Sequence, residues 1–147
     1  FILNLQGDEP FIPKQLIELV INDFKSNKCD VITVSDEIHS EDEISNPNCV
    51  LVETDLNDYA TNFSRTQKLD NPRRHVGIYG YRLKTLRELV SLEPTTNELN
   101  LKLEQMRFLD NKYSIFVSKS DLVVPNGIDT NDDVVSAENY LKEYENN

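Results

Sequence analysis

Chemistry could begin in this sequence where an apolar run gives way to two acids. Phe1 to Leu5 reads as a buried strand. Gly7 breaks it, Asp8 and Glu9 follow, and Pro10 and Pro13 stop any continuation as sheet or helix. In open α/β sheets the ligand crevice lies just beyond the carboxyl ends of the strands. Asp8 therefore stands where a hard oxygen donor could hold a metal-bound phosphate. A strand ending in a solvated turn would use the same residues. The second candidate is Arg65 to Arg82, where Arg65, Lys68, Arg73, Arg74 and Arg82 face the single carboxylate Asp70. The local charge is +4 before His75 is counted, within a chain of net charge −11. A positive segment in a negative chain steers an anionic small substrate.

Within that segment the run from His75 to Arg82 alternates with the period of a strand. His75, Gly77, Tyr79 and Tyr81 share one face, and Val76, Ile78, Gly80 and Arg82 share the other. A core strand with a satisfied histidine fits the same pattern. Glu104 and Gln105 fall on a helical stripe flanked by Leu101 and Phe108. Partial burial there requires partners, either local hydrogen bonds or a ligand, whereas a solvated helix face requires none. Asp129 lies just outside a helix start at Thr130, where plain compensation of the helix dipole is worth roughly half a kcal/mol.

The elements that must position these residues follow from periodicity. Leu16, Ile17, Leu19, Val20, Ile21 and Phe24 mark an amphipathic helix opened by Pro13 and ending near Ser26. Cys29 to Ser35 is a β-branched strand, and Asp36 to Ser45 an acidic connection whose charge reads as solvation, with His39 structural. Cys49 to Glu53 and Tyr59 to Phe63 form a hairpin around Leu56-Asn57-Asp58. Helical spacing predicts Leu83 to Leu92, closed by Pro94, and one helix from Asn97 to Asp110 with Leu99, Leu103, Met106 and Leu109 on a stripe. Tyr113 to Val117 reads as a strand and Leu122 to Val124 as another short one. Thr130 with Asp133 forms a capping-box start to a last helix running to about Glu143.

At 147 residues the chain is one domain's worth, long enough for a real core. It contains a single methionine, Met106, and opens inside an apolar run, which reads as a piece whose N-terminal part is missing. The acidic balance argues against a nucleic-acid partner, which would demand a basic face. Cys29 and Cys49 lack metal-ligand spacing and read as buried free thiols in a reducing cytoplasm. No stretch approaches the length of a membrane span, so no membrane partner is expected.

Six segments occur in the order seen in CMP-Kdo synthetases, the 3-deoxy-manno-octulosonate (Kdo) cytidylyltransferases of lipopolysaccharide precursor synthesis. They are Gln6-Gly7-Asp8-Glu9-Pro10, Asn46-Pro47-Asn48, Phe63-Ser64-Arg65, Arg74 through Arg82, Leu103-Glu104-Gln105 and Gly127-Ile128-Asp129-Thr130. The chain resembles that family over nearly its whole length. The resemblance implies an α/β, Rossmann-like nucleotidyltransferase fold with a mixed sheet. Residues 1–147 would form the C-terminal part of a single cytidylyltransferase domain whose first βαβ segment is missing. It implies transfer of CMP from CTP to the anomeric hydroxyl of Kdo, with release of pyrophosphate, in the cytoplasm and by a homodimer when full length. By similarity Asp8 and Asp129 are the catalytic acids that ligate Mg²⁺, and Gln6, Arg65, His75, Tyr79, Glu104 and Gln105 line the sugar-acid pocket. An arginine or histidine there meets the carboxylate, and the tyrosine, glutamate and glutamine meet ring hydroxyls.

The sequence departs from the family pattern in places. The βαβ segment whose Pro-Ala-Arg loop grips the CTP phosphates is absent, so this chain alone is expected to be inactive. The connection from Arg65 to Arg74 is short and lacks the usual Pro-aromatic-Asp-Arg, which leaves Arg73 as a possible stand-in for a second substrate arginine. Thr95-Thr96-Asn97-Glu98 replaces Ser-Pro-Leu-Glu, and Asn131-Asp132-Asp133 replaces Pro-Glu-Asp. Two other readings are kept: a cytidylyltransferase for another sugar acid, such as an amino-Kdo or a sialic acid, and a non-catalytic oligomerisation domain that keeps the fold.

Overall fold

The structure, a computed structural model, describes residues 1–65, 68–128 and 130–145. Its organising element is the nine-residue strand β5 (Arg73–Tyr81). One edge of β5 pairs antiparallel with β2 (Val31–Asp36), which in turn pairs parallel with β6 (Ile115–Lys119). Its other edge is shared end to end. β3 (Leu51–Thr54) pairs at Arg73 and Arg74, and β1 (Ile2–Leu5) pairs antiparallel with Ile78 to Tyr81. β4 (Ala60–Ser64) completes the predicted hairpin with β3. The result is a six-stranded mixed sheet. Among the described residues β1 pairs with β5 alone, so its second edge has no strand partner.

Strand alternation explains the layers. Val76 and Ile78 of β5 and Ile32 and Val34 of β2 pack with Leu16, Val20 and Phe24 of α1 (Lys14–Ser26). On the opposite face Tyr79, Tyr81, Val31, Ile115 and Val117 pack with Leu89 of α3 (Leu83–Leu89) and with Met106 and Phe108. Both faces of β2 are therefore covered and all six of its residues are buried, as a central strand between helical layers requires. The α/β class and mixed sheet expected from the sequence are what the chain adopts.

Three expectations are corrected. The helix expected over Asn97 to Asp110 is two, α4 (Thr96–Leu101) and α5 (Gln105–Asp110), because Lys102 turns left-handed at φ 54°. That turn drops Leu103 into the core and leaves Leu99 65% exposed, which a continuous stripe would not do. Arg107 pairs with Glu98 across the break, and a capping box between Thr95 and Glu98 starts α4. Leu122 to Val124 forms no strand. Leu122 and Val123 are exposed, while Val124 is buried and spends its backbone on a side-chain pair described below. The acidic connection is not merely solvated either, since it holds a short helix, α2 (Glu41–Ser45), and Asp36 at its start is buried. The last helix, α6 (Asn131–Glu145), begins with the predicted box: Thr130 Oγ1 and the Thr130 amide donate to the Asp133 carboxylate, and the Asp133 amide donates back.

Candidate active site

β1 ends at Leu5, and the next residues turn back across β5. The Gln6 amide donates to the Gly77 carbonyl (3.3 Å), and the Gly77 amide donates to Glu9 Oε1 at 3.3 Å. A side chain at position 77 could not coexist with this arrangement, because an added Cβ would lie 3.0 Å from Gln6 Cδ and 3.2 Å from Glu9 Oε1. Glycine is what lets the two segments lie against each other. Burial raises the Glu9 carboxyl above its ordinary range and neighbouring Asp8 adds to the rise, against the Gly77 hydrogen bond. Asp8 itself is exposed at the rim.

Here the segments singled out in the sequence converge. A cavity of about 180 Å³ is lined by Gln6, Asp8 and Glu9 from the turn after β1, by Asn46, Asn48, Cys49 and Val50 before β3, and by Arg65 after β4. Arg74, His75 and Gly77 of β5 line it too, with Asn126, Gly127 and Asp133. Arg65 donates to the carbonyls of Pro47 and Asn48, both at 3.1 Å, which ties two of the motifs together. The backbone amide of Ile128 donates to the Asp8 carbonyl at 2.8 Å, so the loop that leads to position 129 is stitched to the first acid. Asp129 lies outside the described residues. The volume is below the roughly 300 Å³ at which pockets enclose a whole ligand, and suits a phosphate or one end of a sugar acid.

His75 has one defined hydrogen-bonding state. Thr33 Oγ1 donates its only proton to the Ile78 carbonyl (2.8 Å), so the 2.9 Å contact to His75 Nε2 must be donated by the imidazole. Nδ1 is then the acceptor. Burial, helped by the charge of Arg65, lowers the His75 pKa to about 3. The ring is neutral at neutral pH, which removes it as a cationic partner for a carboxylate.

From His75 a row of rings runs along one face of β5: His75 to Tyr79 at 5.3 Å, then Tyr79 to Tyr81 at 6.2 Å between centroids. Burial pushes the Tyr79 phenol well above its ordinary range. Tyr81 and Glu104 add to this and Arg65 opposes it, so the hydroxyl stays protonated. The expected single cavity holding His75, Tyr79, Glu104 and Gln105 is not what the described residues form. His75 lines the first cavity, and exposed Glu104 lines a second of about 370 Å³ with Tyr81, Arg107 and Phe108. Tyr79 and Gln105 are buried and line neither.

Arg73 is no substitute substrate arginine. Its Nε donates to Ser35 Oγ at 3.1 Å and its Nη2 to the Ser120 carbonyl at 2.8 Å, with Glu37 at 4.0 Å. Arg74, like Arg65, lines the cavity, a place sequence reasoning did not assign to it. Cys29 and Cys49 are free thiols, and burial raises each to about 11, so Cys49 lines the cavity as an inert group. Among the described residues no group of three or more His, Cys, Asp or Glu could hold a metal unaided. Mg²⁺ needs only one or two carboxylates beside waters and phosphate oxygens. The cavity's hard-oxygen donors, with Asp8 at the open rim, fit that requirement. No described helix is long and apolar enough to cross a membrane.

The fold is the one that nucleotidyltransferases share. The cytidylyltransferase family profile matches residues 1–118, and the chain belongs to that family. It is 38% identical to a 3-deoxy-manno-octulosonate cytidylyltransferase of Fusobacterium nucleatum over 97% of its length. It is 36% identical to the enzyme of the same name from Thermodesulfovibrio yellowstonii, again over 97%. In both cases the match spans 61% of the relative. A solved CMP:2-keto-3-deoxy-manno-octonic acid synthetase complexed with CTP superposes with a TM-score of 0.86 at 27% identity. That match covers 97% of this chain and 61% of the other.

Proposed function

We propose that this chain forms the larger part of a CMP-Kdo synthetase. The whole enzyme transfers CMP from CTP to the anomeric hydroxyl of Kdo and releases pyrophosphate, in the cytoplasm and in the service of lipopolysaccharide synthesis. The observation that carries the reading is convergence. Segments far apart in sequence, around Asp8, Asn48, Arg65, His75 and Gly127, line one cavity at the end of β1, where a turn acid and a core histidine have no packing reason to meet. The names of the curated relatives and the CTP-bound neighbour supply the substrates.

The chain's own groups divide the work. Arg65 meets the sugar-acid carboxylate. Neutral His75 presents Nδ1 as an acceptor for a hydroxyl, its tautomer held by Thr33. Protonated Tyr79, beside Glu104 and Arg65, and the amides of Gln6 and Gln105 orient further hydroxyls once the substrate opens the space between the two cavities. Asp8 and Asp129 would hold Mg²⁺, which when bound neutralises phosphate charge as the nucleophile attacks the α-phosphorus. The 147 residues by themselves are expected to be inactive, since a cavity of about 180 Å³ cannot enclose a triphosphate, and the full-length enzyme is expected to be a homodimer.

The test is pyrophosphate release by the full-length gene product from CTP with Kdo, 8-amino-Kdo or sialic acid, alongside sedimentation. Kdo should be preferred by at least about tenfold in kcat/KM, a difference of roughly 1.4 kcal/mol in transition-state binding. Preference for either other acid reassigns the substrate, and no release with any of them removes the reading.

A further inference from the structure

In the cavity wall Arg74 forms a buried ion pair that the proposed chemistry does not use. Asp36, at the end of β2, is 1% exposed, and Arg74, at the start of β5, is 5% exposed. Arg74 Nε donates to Asp36 Oδ1 at 2.8 Å, and Nη2 donates to Oδ2. The rest of the guanidinium is spent on one loop: Nη2 also donates to the Val124 carbonyl and Nη1 to Asn126 Oδ1. Asp36 Oδ2 accepts in turn from the Val124 amide at 3.3 Å. The pair thus grips the loop through its backbone on both sides of Val124 and through the Asn126 side chain. Two residues on, Ile128 donates to the Asp8 carbonyl at 2.8 Å, and Asp129 follows in the sequence.

As a stability device this arrangement would be a poor choice. Desolvating two charges offsets most of their attraction, and an apolar pair of similar volume usually serves the fold as well or better. What an apolar pair cannot do is fix the path of a strandless loop by three directed hydrogen bonds. The loop from Leu122 to Gly127 has no ladder of its own, and beyond this grip it is tied by the Leu122 amide on Ser120 Oγ at its start and the Ile128 amide on the Asp8 carbonyl at its end.

We propose that Arg74 and Asp36 are positioning residues. Their buried pair sets the course of the Val124–Ile128 loop, and through it where that loop meets Asp8. For its effect on metal binding this inference rests on the assignment of Asp8 and Asp129 to Mg²⁺. Its effect on the loop does not. Arg74 already commits four of its five N–H donors to Asp36 and the loop, so its work in the cavity wall is to hold that loop. An arginine beside a histidine on a substrate strand therefore acts as scaffold here, while Arg65 is the one that faces ligand.

The experiment compares the wild-type chain with Arg74→Met/Asp36→Leu, which removes both charges together and so leaves none unpaired, and with Asp36→Asn as a second variant. Amide exchange of Ile128 is read by NMR against Val34 and Val117 in the core strands. In the double variant Ile128 should exchange at least about tenfold faster while the core amides stay within about threefold of wild type. Unchanged Ile128 protection, or a uniform loss across all three amides, overturns the proposal. Mn²⁺ affinity, read from the free-ion EPR signal, should weaken by about tenfold or more in both variants, as for other outer-shell supports of a metal site. Unaltered affinity overturns the coupling to the acids. A wild-type chain that binds no Mn²⁺ removes the metal reading itself, and the exchange measurement then still decides whether the pair holds the loop.

Discussion

Replacing His75 with glutamine should flatten the acid side of the protein's stability profile by a calculable amount. The imidazole is held neutral in the fold at a pKa of about 3, against an ordinary value of 6.5. Below pH 6.5 the unfolded chain binds a proton that the folded chain refuses. Stability from this group is therefore intact above pH 6.5 and falls as the pH drops toward 3. Between pH 7 and pH 5 the loss from this one residue comes to about 2 kcal/mol. For a urea slope of roughly 2 kcal/mol/M the midpoint would move by about 1 M. Glutamine keeps an N–H for Thr33 Oγ1 and cannot titrate. Glu9, whose raised carboxyl works in the opposite sense on acidification, is present in both proteins and cancels in the comparison. The assay is urea unfolding of wild type and His75→Gln at pH 7, 6 and 5. The reasoning is refuted if the two proteins lose stability in parallel, within about 0.5 kcal/mol, because the imidazole would then titrate as it does in water.

Other outcomes follow from single contacts. Thr95→Ala removes the capping box of α4 and should cost about 1 kcal/mol in urea unfolding, with no effect on ligand binding. Gly77→Ala must displace the flexible Gln6 side chain, so it should weaken sugar-acid binding several-fold in calorimetry while costing no more than about 1 kcal/mol of stability. Cys49, with its thiol pushed up to about 11, should react with a disulfide reagent at pH 7 at least about tenfold more slowly than a free cysteine.

The parts of the fold legible in the sequence are those governed by period. The stripe of Leu16, Val20 and Phe24 gave α1 its bounds, and the alternation from His75 to Tyr81 gave β5 its two faces. Failures came where one residue's tertiary setting overrode local pattern. Lys102 adopts a left-handed conformation that no propensity favours for lysine, and it does so to bury Leu103. Asp36 lies in a run of surface acids, and only the buried guanidinium of Arg74 sets it apart. The family resemblance grouped Gln6, Asp8, Arg65 and His75, which line one cavity, yet it did not show that Tyr79 and Gln105 are buried and line neither cavity. Nor could a residue type reveal that His75 is neutral, since that depends on its burial and on the charge of Arg65.

The central claim is that the acid at the end of β1 serves a metal-assisted nucleotidyl transfer and not the fold. The most direct measurement is the Mg²⁺ dependence of pyrophosphate release from CTP and Kdo by the full-length gene product, wild type against Asp8→Asn, with urea unfolding of both. Asp8 is exposed, so its replacement should leave stability within about 0.5 kcal/mol. The account predicts Mg²⁺-dependent turnover in the wild type that falls by at least about a hundredfold in the variant, nearly 3 kcal/mol of transition-state stabilisation. Turnover in Asp8→Asn close to that of the wild type, with the same Mg²⁺ requirement, would contradict it.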